Sequence, residues 1–221
     1  MSKPLSASEL RERTLARVAA SPAPTRKNWL LAQALWLSLA SGLFVALALS
    51  HGLTPMLERP RAYVWTVGLS FAAVGVLAGQ AFAAFLATPL GAPRRMVTFL
   101  KWATLPSLVL GSLAANGLAP ETLTWPAADP VIHCWCPLAL LFSGGIVGAL
   151  ALRTMRGADP VTPRATALAL GTLVGVLAAL AVSLHCEFAD PIHVLTTHVL
   201  PVGLLMAGMA RWGARTLKGP P

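Results

Sequence analysis

Residues 184–193 read Leu184-His185-Cys186-Glu187-Phe188-Ala189-Asp190-Pro191-Ile192-His193 and form a short polar interruption between two long apolar runs. The runs on either side, 165–184 and 192–211, carry almost no charge. Each has the length of about 20 residues that a helix needs to cross a bilayer. The stretch therefore predicts a tight connection between two antiparallel membrane-spanning helices.

The rest of the chain is apolar in the same way. Hydrophobic residues make up 56% of it and charged residues 11%, whereas soluble domains carry about 25% charged residues. Six apolar runs occur, at 29–53, 62–87, 98–118, 134–152, 165–184 and 192–211. They are rich in Leu, Ala, Val and Gly without the alternation of a strand, so we predict an all-α membrane protein whose six transmembrane helices form an antiparallel bundle. The predicted domains are an N-terminal segment, 1–28, the transmembrane domain, 29–211, and a short tail, 212–221.

The net charge of +9 is explained by membrane topology. All but two of the 17 basic residues lie in the N-terminal segment, in the tail or at connections predicted on the same side of the bundle, and the exceptions are Arg59 and Arg61. Cytoplasmic loops carry an excess of Lys and Arg. We therefore expect both termini in the cytoplasm, a multi-pass location in the bacterial inner membrane, the lipid bilayer as one partner and no direct binding of nucleic acid.

The N-terminal segment carries the signal for one short helix. Ser6 and Glu9 have the spacing of a capping box, which predicts a helix over Ala7–Ala20. Such a helix is marginal alone in water, so it would become ordered on a protein partner, and a disordered tether that carries topogenic charge is the alternative. Its apolar stripe and its basic residues are the predicted partner-binding residues: Leu10, Arg11, Arg13, Leu15, Arg17 and Val18.

Cysteine and histidine residues gather on the face that the topology predicts to be non-cytoplasmic. The candidate sensor or redox residues are Cys134, Cys136 and Cys186, and the candidate metal ligands are His133, His185, His193 and His198. Thiolate and imidazole groups suit zinc, copper and related ions, so a transition-metal ion is the one cofactor that this pattern suggests. The metal signal is weakened by the spacing of His193 and His198, because a regular α-helix places residues five apart at about 140° to one another.

The three cysteines allow several chemical states. Cys134 and Cys136 should face different sides of a helix start, so a bond from one of them to Cys186 is more plausible than a bond between the two. The non-cytoplasmic space of a bacterium is oxidising, and three cysteines leave one unpaired. A structural disulfide, buried thiols, a sensor that responds to oxidant or metal, and direct catalysis all fit this pattern.

Two other classes of membrane protein fit less well. A membrane thiol-disulfide oxidoreductase needs an electron relay, but the chain has no Cys-x-x-Cys motif and no second cysteine pair. A small metal or solute permease needs polar or ionisable residues along the middle of the bundle, and these are scarce apart from Gln33 and Gln80. We therefore expect a protein without enzymatic activity.

The layout as a whole resembles the NrsF-type membrane anti-sigma factors of bacteria. The likeness rests on six spans, a short cytoplasmic N-terminus, a cysteine at the start of the fourth span, and His185-Cys186 followed by His193 and His198. That resemblance implies an extracytoplasmic-function sigma factor as partner. It also implies two outer cysteines that sense heavy-metal stress, namely Cys186 and either Cys134 or Cys136. The light-response anti-sigma factor CarR is similar in size and layout only, and it would make singlet oxygen the stimulus.

Together these features lead to the hypothesis of an inner-membrane anti-sigma factor. Residues 1–28 would hold the sigma factor at the membrane, and the outer Cys and His residues would trigger its release under metal or oxidative stress. The alternatives are the membrane thiol-disulfide oxidoreductase and the small permease.

Overall fold

The computed structural model describes residues 6–20, 59–87, 92–119, 130–155, 162–186 and 188–217, together with the single positions 30, 31, 34, 35, 38 and 42. The regular structure of these residues is helical, as the sequence predicts. The first predicted span, 29–53, lies outside the described residues except for those six positions, each of which is helical.

The N-terminal helix, α1, covers Ala7–Ala20. The predicted capping box is confirmed, because the Glu9 N–H donates to Ser6 Oγ at 3.2 Å and the Ser6 N–H donates to Glu9 Oε2 at 2.7 Å. These bonds satisfy backbone donors that the start of a helix otherwise leaves without a partner.

Six further helices follow α1 along the described part of the chain. They are α2 (Arg61–Ala87), α3 (Arg94–Trp102), α4 (Thr104–Leu118), α5 (Pro130–Thr154), α6 (Pro163–His185) and α7 (Pro191–Leu217). Four of these, α2, α5, α6 and α7, are long and apolar enough to cross a membrane, and the bent pair of α3 and α4 makes a fifth candidate. The described residues thus account for five of the six predicted spans at most.

The third predicted span is a bent pair of helices where a single helix was expected. The axes of α3 and α4 differ by 56° across a break at Ala103. Pro106 accounts for the break, because proline has no N–H to donate to the Trp102 carbonyl and its ring clashes with that group in a continuous helix. The bend places the basic start of α3 at an angle to the apolar α4.

The last helix, α7, contains two turns of π-helix. The segments Leu195–Val199 and Met209–Gly213 are π-helical, and the rest of α7 is α-helical. In the first segment the Leu200 N–H donates to the Leu195 carbonyl, which is a bond to the residue five positions back. Pro201 follows at once, and a wide turn relieves the clash that proline makes with the preceding turn. The helix continues to Leu217, beyond its predicted end at residue 211.

The central helix of the bundle is α6, which packs against α2, α5 and α7 and is buried along most of its length. Glycines allow α7 to approach it closely. A Cβ atom added at Gly171 would lie 2.9 Å from the Leu205 carbonyl oxygen, and one at Gly175 would lie 3.4 Å from the Cα of Val202. This pair of small residues therefore fits the α6–α7 interface, as such pairs do in membrane bundles.

The starts of α2, α5 and α7 and the end of α6 lie together, so the bundle has two distinct ends. Tyr63 near the start of α2 shares one apolar cluster with Cys136 in α5 and with Cys186 after α6, and we call this the cysteine end. At the other end, Lys101 of α3 and Arg164 of α6 border a cavity of about 760 Å³, and we call this the basic end.

Candidate functional site

Four side chains converge at the cysteine end. They are Cys136 from α5, Cys186 from the α6–α7 connection, and His193 and His198 from α7, and together we call them the four-residue cluster. One ligand atom of each lies within 4.8 Å of the corresponding atoms of the other three. Their exposures are 7%, 5%, 2% and 1% in that order, so all four are buried. Two thiols and two imidazoles make a donor set suited to zinc and related ions.

The two thiols of the cluster lie next to each other without a covalent bond. The distance between Cys136 Sγ and Cys186 Sγ is 3.7 Å, and both cysteines are free. The neighbouring Cys134 is exposed, because residues two apart on a helix point to different sides. The structure thus brings Cys136, and not Cys134, to Cys186.

The start of α7 positions His193. Pro191 is the first residue of the helix, where its missing N–H costs nothing, and Asp190 caps the helix by accepting from the His193 N–H at 2.8 Å. His193 Nε2 lies 3.0 Å from Cys186 Sγ. The Phe188 ring packs against the His193 ring with a centroid distance of 5.1 Å.

A basic residue fixes the connection that carries Cys186. The Arg59 guanidinium donates to the carbonyl oxygens of Cys186 and Phe188, the latter at 3.2 Å. Because hydrogen bonds from a charged donor are stronger than neutral ones, Arg59 holds the backbone on both sides of residue 187 in place.

The first π-helical segment brings His198 beside His193. The expectation that these residues lie about 140° apart assumes a regular α-helix, and it is wrong here. Bonds to the fifth residue back stack position i+5 above position i. The two rings lie edge to face with a centroid distance of 5.6 Å. The spacing of five residues weakens the metal signal in the sequence, but the π-helical turn places residues with this spacing on the same face of the helix.

A serine orients the ring of His198. Ser183 Oγ in the last turns of α6 lies 2.7 Å from His198 Nδ1. The other ring nitrogen, Nε2, is buried and has no hydrogen-bond partner among the described residues. The serine therefore occupies one nitrogen and leaves the other facing the protein interior.

Hydrogen bonds at the cluster favour ionisation of Cys186, which lies between two helices. The Cys136 thiol donates to its sulfur and lowers the pKa of Cys186 below the usual range, burial opposes this, and the contact with His193 Nε2 acts in the same direction as Cys136. The thiolate is the form of cysteine that binds metals and attacks other groups. Cys186 is therefore the thiol of the pair that more readily becomes a thiolate.

The other residues singled out from the sequence lie apart from this cluster. His185 at the end of α6 is partly exposed and does not belong to it, and the side chain of His133 lies outside the described residues. On α1, Leu10 and Leu15 are 59% and 58% exposed. Arg11 and Arg13 are exposed as well, while Arg17 and Val18 are helical positions whose side chains are not described.

Sequence reasoning missed two residues that shape the site. Ser183 gives no signal, because its pairing with His198 joins two helices across the α6–α7 connection. Arg59 gives a weak one, since it is one of only two basic residues predicted on its side of the bundle.

The comparisons with known proteins give one match. The model of a protein family described as NrsF, negative regulator of sigma F, matches residues 15–218. No match was found among curated proteins or among solved structures. The matched residues begin within α1 and include the whole four-residue cluster.

Proposed function

Since the chain belongs to the NrsF family of negative regulators of sigma F, we propose that it is a membrane anti-sigma factor that holds an extracytoplasmic-function sigma factor through residues 1–28. Family membership implies a sigma factor as the partner of this chain. The bacterial inner membrane, the class of the sigma factor and the stress signal are the parts that we propose. In this reading the protein is a regulator and not an enzyme.

The single observation that supports binding of the sigma factor by residues 1–28 is the capped helix α1 with its exposed leucines. Leu10 and Leu15 are 59% and 58% exposed. Large apolar side chains on an amphipathic helix are the usual anchors of helix-in-groove binding. The exposed Arg11 and Arg13 add positive charge, which speeds association with an acidic surface.

The distribution of charge supports a membrane protein with its basic end in the cytoplasm. Lys101 and Arg164 lie at the basic end, and the long apolar helices between the two ends match the thickness of a bilayer. The four-residue cluster then faces the non-cytoplasmic side. There it would meet metal ions or oxidants before they enter the cell.

The buried thiol pair supports a sensing role for the cysteine end. Cys136 and Cys186 are close enough to share one metal ion, and a small movement would bring them into a disulfide. Either event would join α5 to the connection that leads into α7. We propose that this change is passed through the bundle and releases the sigma factor under metal or oxidative stress.

The test of partner binding is capture of the purified sigma factor by the detergent-solubilised full chain. Leu10→Glu combined with Leu15→Glu should weaken capture about a hundredfold or more, because each buried leucine contributes about 1.5–3 kcal/mol. Ala16→Glu combined with Ala19→Glu is the matched control, since it adds the same two charges at exposed positions of α1 and keeps both leucines. Equal capture by the leucine variant and the control would refute the role of the apolar stripe.

A further inference from the structure

We propose that the four-residue cluster is a closed site for one tetrahedral divalent ion of the zinc type, with both histidines and both thiols as ligands. This inference rests on the proposed function, because it names the ligand class of the same sensing end and restricts the ligands to Cys136, Cys186, His193 and His198. Binding of the ion can nevertheless be measured without any sigma factor.

The spacing of the two sulfurs fits such an ion. Zinc binds thiolate sulfur at about 2.3 Å, and tetrahedral angles then hold two sulfurs about 3.8 Å apart. Cys136 Sγ and Cys186 Sγ are 3.7 Å apart. A disulfide would need a distance of about 2.05 Å. The pair therefore already forms one edge of a zinc-type tetrahedron, whereas a disulfide requires movement.

His198 has the arrangement of a metal ligand with a supporting residue. Its Nδ1 is engaged by Ser183 Oγ at 2.7 Å, and its Nε2 is buried with no hydrogen-bond partner in the described part of the chain. Buried polar atoms almost always have such a partner. Metal-bound histidines usually engage their other ring nitrogen with a second group that fixes the ring. A metal ion at Nε2 would satisfy the remaining atom.

His193 supplies the fourth ligand from a fixed position. Asp190 holds its backbone N–H at 2.8 Å, and its Nε2 already faces Cys186 Sγ at 3.0 Å. An ion bound between His193 Nε2 and Cys186 Sγ would form one coordinate bond with each atom in place of their direct contact. Each cysteine that is still a thiol loses one proton as the ion binds, and no electron is transferred, so no oxidant is needed.

The donor set selects the class of ion. Calcium and magnesium take six or more oxygen ligands, whereas two thiolates and two imidazoles suit zinc and its heavier congener cadmium. Four protein ligands leave no open position for a substrate, as in structural zinc sites. The ion would link α5, the α6–α7 connection and α7 at one point.

The test is titration of the metal-free, detergent-solubilised full chain with Zn²⁺ against a competing chelator, and with Co²⁺ to read the coordination from its absorption. The unmodified chain should bind one ion with four-coordinate thiolate absorption. His193→Gln and His198→Gln should each weaken binding and shift the visible Co²⁺ absorption that reports the ligand set, because one nitrogen ligand is lost while both thiolates remain, and Ser183→Ala should weaken binding about 10–100-fold. Cys134→Ser is the control and should bind as the unmodified chain does.

Two results would overturn the inference. One is the absence of stoichiometric Zn²⁺ binding to the unmodified chain, and the other is unchanged affinity and absorption in both histidine variants, which would leave the thiols as the only ligands. Circular dichroism of each metal-free variant checks its fold, and Ser183→Ala decides the question if a histidine variant does not fold. Capture of a sigma factor by the metal-free chain is measured separately. Capture without metal binding defeats only this inference, and metal binding without capture defeats only the proposed function.

Discussion

The contact between α6 and α7 can be tested by adding a single methyl group. At Gly171 an added Cβ atom would lie 2.8 Å from the Cβ of Met209 and 2.9 Å from the Leu205 carbonyl oxygen. Non-bonded carbon atoms are most stable about 3.5–4.0 Å apart. Gly171→Ala therefore forces the two helices apart. Gly145→Ala in α5 is the matched control, because nothing lies within 4 Å of the added atom there.

The difference in stability between the two variants isolates the cost of this clash. Replacing a helical glycine by alanine stabilises a helix by roughly 0.5–1 kcal/mol in either variant, so this part cancels. Overpacking a close interface costs about 1–3 kcal/mol. Gly171→Ala should therefore be about 1–3 kcal/mol less stable than Gly145→Ala. For a chain of this size that difference lowers Tm by about 2–12 °C.

The measurement is thermal unfolding of both metal-free variants in the same detergent, followed by far-ultraviolet circular dichroism. The side chain of Met209 can move, but the carbonyl of Leu205 belongs to the backbone of α7 and can move only if the helix moves with it. An equal Tm for the two variants would mean that α7 does not approach α6 as closely as the structure has it. The reasoning about the glycine pair would then be refuted.

Two further predictions concern the ends of the molecule. Ser6→Ala should speed amide hydrogen exchange in the first turn of α1, and acid should do the same in the unmodified chain. The hydrogen bonds from Ser6 hold the pKa of Glu9 below its ordinary value of 4.5. Their contribution to helix stability is therefore complete above pH 4.5 and is lost as the pH falls through the lowered pKa. An exchange rate that does not change as the pH falls would contradict the capping box. Arg59→Gln should speed alkylation of Cys186 about tenfold or more, since each hydrogen bond from a charged donor is worth about 1.5–3 kcal/mol. Arg61→Gln is its control, and equal alkylation rates would count against the role of Arg59.

Local signals in the sequence predict local structure well. The capping box of Ser6 and Glu9 needs only residues three positions apart, and the structure has it. The long apolar runs predict α2, α5, α6 and α7 within a few residues at most ends, because the length and composition of a membrane helix are set by the bilayer. Helical geometry likewise predicts that Cys134 and Cys136 face different sides, whereas the structure is needed to show that Cys136 is the buried one.

The features that the sequence did not reveal depend on contacts or on a change of helix type. The break before α4 follows from Pro106, whose effect on an otherwise apolar run is not seen in composition. The pairing of Ser183 with His198 joins different helices and leaves no periodic signal. The close approach of His193 to His198 needs a π-helical turn, and the pattern of hydrophobic residues does not predict such a turn.

The helix α7 extends from the cysteine end to the basic end. It begins with His193 and His198 and ends at Leu217, which is buried in one cluster with Leu152 and Ala167. Losing a π-helical turn shifts the following residues by one position, which rotates them by about 100°. A form of α7 without this turn would therefore differ from the observed one by a discrete repacking, which is the kind of difference that a switching element requires. An ion bound by both histidines needs them on one face and so favours the form with the π-helical turn, because a regular helix separates them by about 140°. Under the proposed function, metal binding at the four-residue cluster and the packing of Leu217 at the basic end therefore both depend on whether α7 contains the π-helical turn.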